Sequence, residues 1–259
     1  FVEDNAVPPD RLPEFVREFK RIVAEHGTKA AFYAHASVGV LHVRPMLDIH
    51  DAEDRDRLRS IAVQVASLAR SLGGVMSGEH GDGRVRTPLV EDYFGREIVR
   101  LFHRVKRLFD PHNLMNPGNI IDLDGTHPRP VESMTQSLRV LPSETPVQVP
   151  DTETYFDYSD QHGFDGAVEM CNGAGVCRKK TGGTMCPSYM ATLDERHSTR
   201  GRGNALRLAI SGQLNRTDAG TPDFDDADTL ETLNLCLSCK ACKSECPSNV
   251  DIARLKAEY

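Results

Sequence analysis

Ser77-Gly78-Glu79-His80-Gly81-Asp82-Gly83 sets a carboxylate beside a histidine in a glycine-rich stretch, and His35 and His42 lie seven positions apart upstream. Imidazole nitrogen and carboxylate oxygen are usual ligands of a borderline divalent metal. Three protein ligands with an open fourth position mark a catalytic rather than a structural site. His35, His42 and Glu79 are the candidate trio, with His80 left over as an acid/base group. The chain has ten histidines, and most histidines in any protein are surface or satisfied polar residues, so the set gains its weight from a second, independent signal.

That signal is cysteine spacing. All seven cysteines fall between Cys171 and Cys246. An odd number in C-x-x-C spacing argues against a disulfide framework and suits a metal or cluster protein of a reducing compartment. Cys236-x2-Cys239-x2-Cys242-x3-Cys246-Pro247 is the bacterial ferredoxin run, in which three thiolates reach one cluster and the fourth reaches another. As a zinc site the run holds one cysteine too many. Upstream, Cys171-x2-Ala174-x2-Cys177, followed by Cys186-Pro187, is the same run with alanine at the second ligand position and an insertion before the last. Crossed ligation then joins Cys186 to Cys236, Cys239 and Cys242 as one complete site. Cys171, Cys177 and Cys246 remain for a three-iron cluster, for a four-iron cluster with a non-cysteine ligand, or for nothing. Between the runs, Thr199-Arg200-Gly201-Arg202-Gly203 is either a solvated helix start or positive charge that raises a cluster's potential.

Each candidate ligand must be placed by an element. Residues 2–8 read as a short strand closed by Pro8-Pro9, and Asp10 is expected to cap a helix with Leu12, Phe15, Val16, Phe19, Ile22 and Val23 at helical spacing. Ala30–Ala34 and Val40–Arg44 read as a hairpin turning at Gly39, with His35 at the end of its first strand. Alternation puts Val40, His42 and Arg44 on one face, so His42 and Arg44 can address one cavity. A second helix carries Leu58, Ile61, Ala62, Val65, Leu68, Ala69 and Leu72, with Asp51, Glu53 and Asp54 at its positive end. After Gly73-Gly74, Val75-Met76-Ser77 is expected as a strand that delivers Glu79 and His80 at its exit. A third helix carries Ile98, Val99, Phe102, Val105, Leu108 and Phe109 and stops at Asp110-Pro111, before a polar turn over 112–119. Residues 215–229 read as a loop.

A length of 259 residues suggests about two domains. Prolines at 128, 130, 142, 146 and 150 mark a linker over 122–166. It separates an α+β domain over 1–121, an antiparallel sheet with helices, from an all-α iron–sulfur domain over 167–259. No apolar run approaches the roughly 20 residues of a membrane helix. A net charge of −7 argues against a nucleic-acid partner. The opening on Phe1 rather than Met, directly into strand-like sequence, reads as a fragment of a longer protein, with the second domain incomplete at its C-terminal end.

FVEDNAVP, HASVGVLH, SGEHGDG and LFDPHNLMNPGNII, spanning roughly residues 1–121, resemble the C-terminal domain of the FAD-linked oxidases of the vanillyl-alcohol oxidase superfamily. The second unit resembles the two-cluster alpha-helical ferredoxin domain. The fusion is similar to the long bacterial FAD and iron–sulfur D-2-hydroxyacid dehydrogenases, whose substrates include D-2-hydroxyglutarate, D-lactate and glycolate. The resemblance implies oxidation of a 2-hydroxy acid to the 2-oxo acid, with electrons passing from FAD through 4Fe-4S clusters to a quinone or carrier. It implies zinc or a similar divalent metal on His35, His42 and Glu79, His80 as base, Arg44 as substrate contact, Asn116 as FAD contact, and an upstream FAD domain of the same protein. Relatives often have asparagine at the position of Arg44; an arginine there can pair a distal carboxylate in bidentate fashion, which favours a dicarboxylic substrate. Relatives commonly write GHxGDGNLH where this chain has AHASVGVLH; the histidine spacing survives. The expected location is cytoplasmic, or peripheral at the inner face of the membrane. The alternative from another class is an electron-transfer or docking module without catalysis.

Overall fold

The structure is a computed structural model that describes residues 1–123, 130–136, 138 and 153–259. The chain divides into two compact units, Phe1–Glu144 and Thr145–Tyr259.

The first unit is built on a three-stranded antiparallel sheet of β1 (Asp4–Ala6), β2 (Ala30–His35) and β3 (Val40–Pro45), in the order β1-β3-β2. The hairpin register pairs His35 with Val40 and Tyr33 with His42, and β1 pairs Asp4 with His42. His42 therefore stands on the central strand with neighbours on both sides. Helices α1 (Leu12–Glu25) and α2 (Ala52–Ser71) bury their apolar stripes, and Phe15, Phe19, Ile61 and Val65 are wholly enclosed. Phe19 stacks edge-on against Phe15 at 5.7 Å and Phe32 at 5.8 Å, which ties α1 to β2. The Asp51 side chain caps α2 by accepting from Glu53 N. Asp10 does not cap α1: it lies in a 3-10 turn over Pro9–Arg11, and no side-chain cap bond forms.

Val75-Met76-Ser77 is not a strand. A single bridge joins Val75 to Ala6, and the Met76 carbonyl is occupied by the side chains of Asn5 and Arg86 instead of a ladder partner. Short helices α3 (Gly83–Arg86) and α4 (Val90–Phe94) lead into α5 (Arg96–Phe109). Along the apolar stripe of α5, Val99 is buried and Phe102 packs partly on the core, while Val105, Leu108 and Phe109 are exposed. Beyond residue 121, Met134 is buried in the first core.

In the second unit, short helices surround a core of Tyr158, Val168, Met185, Leu206, Ile252 and Leu255. They are α6 (Gly163–Glu169), α7 (Pro187–Thr192), α8 (Thr199–Ile210), α9 (Ala227–Asn234), α10 (Ala241–Glu245) and α11 (Ile252–Glu258). Cys177, Cys186 and Cys242 are buried in the same core. The stretch expected as a loop to 229 ends earlier: Asp226 caps α9 by accepting from Thr229 N at 2.7 Å. Among the described residues no helix is long and apolar enough to cross a membrane.

Candidate metal and cluster sites

β2 ends at His35, β3 carries His42, and the loop after Val75 carries Glu79 and His80, and the four side chains cluster around His42. One anchor sets the loop. Asp4, fully buried on β1, accepts from Ser77 Oγ at 2.6 Å, Glu79 N at 3.1 Å and His80 N at 2.8 Å, and its other oxygen pairs with Arg86. Burial alone would raise its pKa, but these donors outweigh that and hold it far below the usual carboxylate range. Gly78 lies in close quarters: a Cβ there would stand 3.0 Å from both Ala6 Cβ and Val40 Cγ2, tighter than an ordinary contact.

The ligand atoms converge. Glu79 Oε1 lies 2.9 Å from His42 Nε2 and 3.7 Å from His35 Nε2. Among the described residues, His35, His42 and Glu79 form one of two groups tight enough to close on a single ion. The other is Glu3, His42 and His80. Glu3 Oε1 lies 3.0 Å from His42 Nδ1, and Glu3 Oε2 lies 2.6 Å from His80 Nδ1. Holding Nδ1 leaves Nε2 of His42 aimed at Glu79 and His35, the arrangement by which a carboxylate orients a histidine ligand. His80 Nε2 stands 3.4 Å from Glu79 Oε1. The hydrogen bond with Glu3 raises the pKa of His80 above its ordinary value, which shifts it toward the protonated form near neutrality.

Arg44 leaves β3 at the exposed rim, where its Nη2 donates to Tyr33 Oη at 2.9 Å. Tyr33 in turn stacks on the His42 ring with centroids 4.6 Å apart. Glu3, Asp4, Tyr33 and Arg86 also belong to the site, although the ligand spacing does not point to them. Tyr33 was findable, since alternation from His35 puts it on the histidine face; nothing local marks Glu3 or Arg86. Asn116 lies exposed in the turn after α5 at φ 46° and is not among the residues around His42.

In the second unit, Cys186, Cys236, Cys239 and Cys242 line one pocket. Zinc–sulfur bonds of about 2.3 Å need four sulfurs around a point, and the only groups of that tightness among the described residues are the two at His42. The thiols instead border a space, as ligands of a cluster do. Cys186 Sγ accepts from Arg202 Nη1 at 3.2 Å. Arg202 is buried, and its Nη2 has no hydrogen-bond partner among the described residues; an anionic group in the cavity fits that need. Burial raises the pKa of the Cys242 and Cys177 thiols, so ionising them calls for a compensating cation or metal. Cys177 Sγ accepts from Arg200 N at 3.4 Å and interacts electrostatically with Cys171. Cys246 packs on the same core, and Ala174 N donates to Asn172 Oδ1 at 3.0 Å.

Residues 1–120 match the family model of the FAD linked oxidases, C-terminal domain, and residues 167–250 match that of the 4Fe-4S dicluster domain. Over its whole length the chain is 31% identical to the D-2-hydroxyglutarate dehydrogenase of Pseudomonas putida and 29% identical to that of Escherichia coli, covering 27% of each. A D-lactate dehydrogenase of Archaeoglobus fulgidus is 35% identical over 46% of this chain, which covers 26% of that protein. The chain thus spans about a quarter of the length of the curated relatives it matches. In order along the chain, its two units are similar to a C-terminal domain of the FAD-linked oxidases and to a 4Fe-4S dicluster domain.

Proposed function

We propose that this chain is the substrate-metal and electron-outlet portion of an FAD- and iron–sulfur-dependent D-2-hydroxyacid dehydrogenase, of the D-2-hydroxyglutarate or D-lactate class. The observation that carries the reading is the convergence of His35, His42 and Glu79, in a chain that also lines a cavity with four thiols. Residues 1–121 serve as the substrate domain and 167–259 as the iron–sulfur domain.

His35, His42 and Glu79 hold a divalent metal, zinc by the nature of the donors; Cys186, Cys236, Cys239 and Cys242 hold a 4Fe-4S cluster; Cys171, Cys177 and Cys246 are the candidates for a second. Asn116 contacts FAD, bound mainly outside this chain. When bound, these groups supply Lewis acidity toward the 2-hydroxy carboxylate, hydride acceptance and one-electron transfer. The protein's own side chains do the rest. Glu3 fixes the orientation of His42 through Nδ1 and that of His80 through the same carboxylate. His80, with Nδ1 engaged, takes the substrate hydroxyl proton at Nε2. Because Glu3 raises its pKa, its basic form appears at higher pH than for a free histidine, while a metal cation nearby opposes that shift. Arg44, steadied by Tyr33, receives a distal carboxylate as a bidentate partner, which favours a dicarboxylic 2-hydroxy acid. Electrons leave to a quinone or carrier, in the cytoplasm or at the inner face of the membrane.

The test is His80→Ala in the full-length protein. Flavin reduction by D-2-hydroxyglutarate should slow by about 10²–10⁴-fold, with flavin and metal content kept. Reduction at the wild-type rate contradicts the assignment, and metal absent from the wild-type histidine site turns the reading toward a non-catalytic electron-transfer module.

A further inference from the structure

The two arginines of the α8 start stand in different electrostatic situations. Arg200 is bonded to Glu195 through Nε at 2.7 Å, and Glu195 also pairs with Arg178 at 2.9 Å, all three partly open to solvent. Arg202, one turn edge further on, is 1% exposed. Its contacts are Cys186 Sγ at 3.2 Å, the His197 carbonyl at 2.7 Å and the Thr232 carbonyl at 3.2 Å. No carboxylate pairs with it among the described residues, and Nη2 is unpartnered. Arg202 also lines the cavity bordered by Cys186, Cys236, Cys239 and Cys242. A lone buried cation is costly unless an anion shares its site. The backbone fixes where it sits: Ser198 caps α8 by accepting from Gly201 N at 2.9 Å. A Cβ on Gly201 would meet Glu195 O at 1.9 Å, so glycine alone lets the first turn of α8 dock there.

We propose that Arg202 is the buried counter-cation of the cluster held by Cys186, Cys236, Cys239 and Cys242, and that it raises that cluster's reduction potential. The inference rests on the cluster reading above. Reduction adds one electron, and so one negative charge, to the cluster. In a low-dielectric cavity a guanidinium with no acid of its own stabilises that added charge, and its N–H bond to Sγ acts in the same direction. Arg200 and Arg178, shared with Glu195 and screened by water, do so far less.

The 259-residue chain is reconstituted anaerobically with iron and sulfide, assayed for both, and titrated with dithionite and mediators under electron paramagnetic resonance. The signal lost in Cys186→Ser identifies the cluster. Arg202→Gln should keep its iron and shift the one-electron equilibrium against reduction by tenfold or more, about 59 mV. Arg202→Lys should recover most of that shift, and Arg200→Gln should move the potential less than Arg202→Gln. Full iron in Arg202→Gln at an unchanged potential overturns the proposal. If Arg202→Gln takes up no iron, Arg202→Lys decides: iron bound at a near wild-type potential supports the proposal. Loss of iron from both with helix content intact makes the role one of packing and overturns it. A wild-type chain that binds zinc and no iron instead defeats the underlying cluster reading.

Discussion

Around His42, both ring nitrogens face carboxylates and the loop carrying Glu79 and His80 is pinned by Asp4. Around Cys186, the thiols border a pocket, and buried Arg202, which lines it, keeps a nitrogen with no partner among the described residues. The first site is preorganised by protein acids, so on the proposed reading the protein sets the ligand geometry that a metal would meet. The second, on the same reading, would be completed by what it binds, because among the described residues no side chain lining the pocket neutralises Arg202. Losing an acid should therefore damage the first site through structure, and losing a thiol should damage the second through its contents.

The largest effect expected at the histidine site comes from Asp4→Asn. It takes from buried Arg86 its paired carboxylate, a loss of roughly 3–5 kcal/mol for a buried ion pair; the Met76 carbonyl and Asp82, 3.9 Å from Arg86, should hold the cost to about 3 kcal/mol. Urea unfolding of the first unit measures it. The same residue sets an acid limb. Its folded pKa lies below the unfolded value, so its contribution is complete above an unfolded pKa of about 3.9 and is lost as pH falls toward the folded one. Stability should be level above about pH 5 and decline below about pH 4, and Asp4→Asn should flatten that decline.

Glu3→Gln comes next. Removing the carboxylate that orients His42 should weaken metal binding by about 10–100-fold, read by competition with a chromogenic chelator. With metal saturating, the acid limb of substrate oxidation should move to lower pH, because His80 loses the partner that raises its pKa. Unchanged affinity and an unmoved limb would remove Glu3 from the site. Tyr33→Phe should be smallest. Losing the hydroxyl that accepts from Arg44 should cost about 1 kcal/mol, roughly fivefold in kcat/KM, for a dicarboxylic 2-hydroxy acid and less for D-lactate. An equal loss for both would argue that Arg44 does not read the distal carboxylate.

The chain's own pattern made the ligand types legible and left the supports hidden. The hairpin over Ala30–Pro45 followed from its alternation and Gly39, and it places His35 and His42 as their spacing suggested. That β3 would be the central strand did not follow, because β1 is three residues long and carries too little pattern to declare its partner. Met76 looked like a strand residue because local propensity cannot see Asn5 and Arg86 arriving from 71 and 10 positions away. Asp226 was a helix start hidden in a run of turn-forming residues, where one composition serves both loops and caps. Periodicity gives the apolar stripe of α5, yet Leu108 and Phe109 are exposed; periodicity reports a face, not what covers it. Cysteine spacing gave the four residues that share a cavity, since cluster ligation fixes spacing tightly, but nothing in it distinguished buried Arg202 from Arg200.

The most direct test of the account is elemental analysis of the anaerobically purified chain for zinc, iron and sulfide, beside His42→Ala and Cys242→Ser. The account predicts about one zinc with at least about four irons and matching sulfide in the wild-type chain. His42→Ala should lose the zinc and keep the iron, and Cys242→Ser should lose about four irons and keep the zinc. Zinc without iron in the wild-type chain, or zinc content unmoved by His42→Ala, would contradict it.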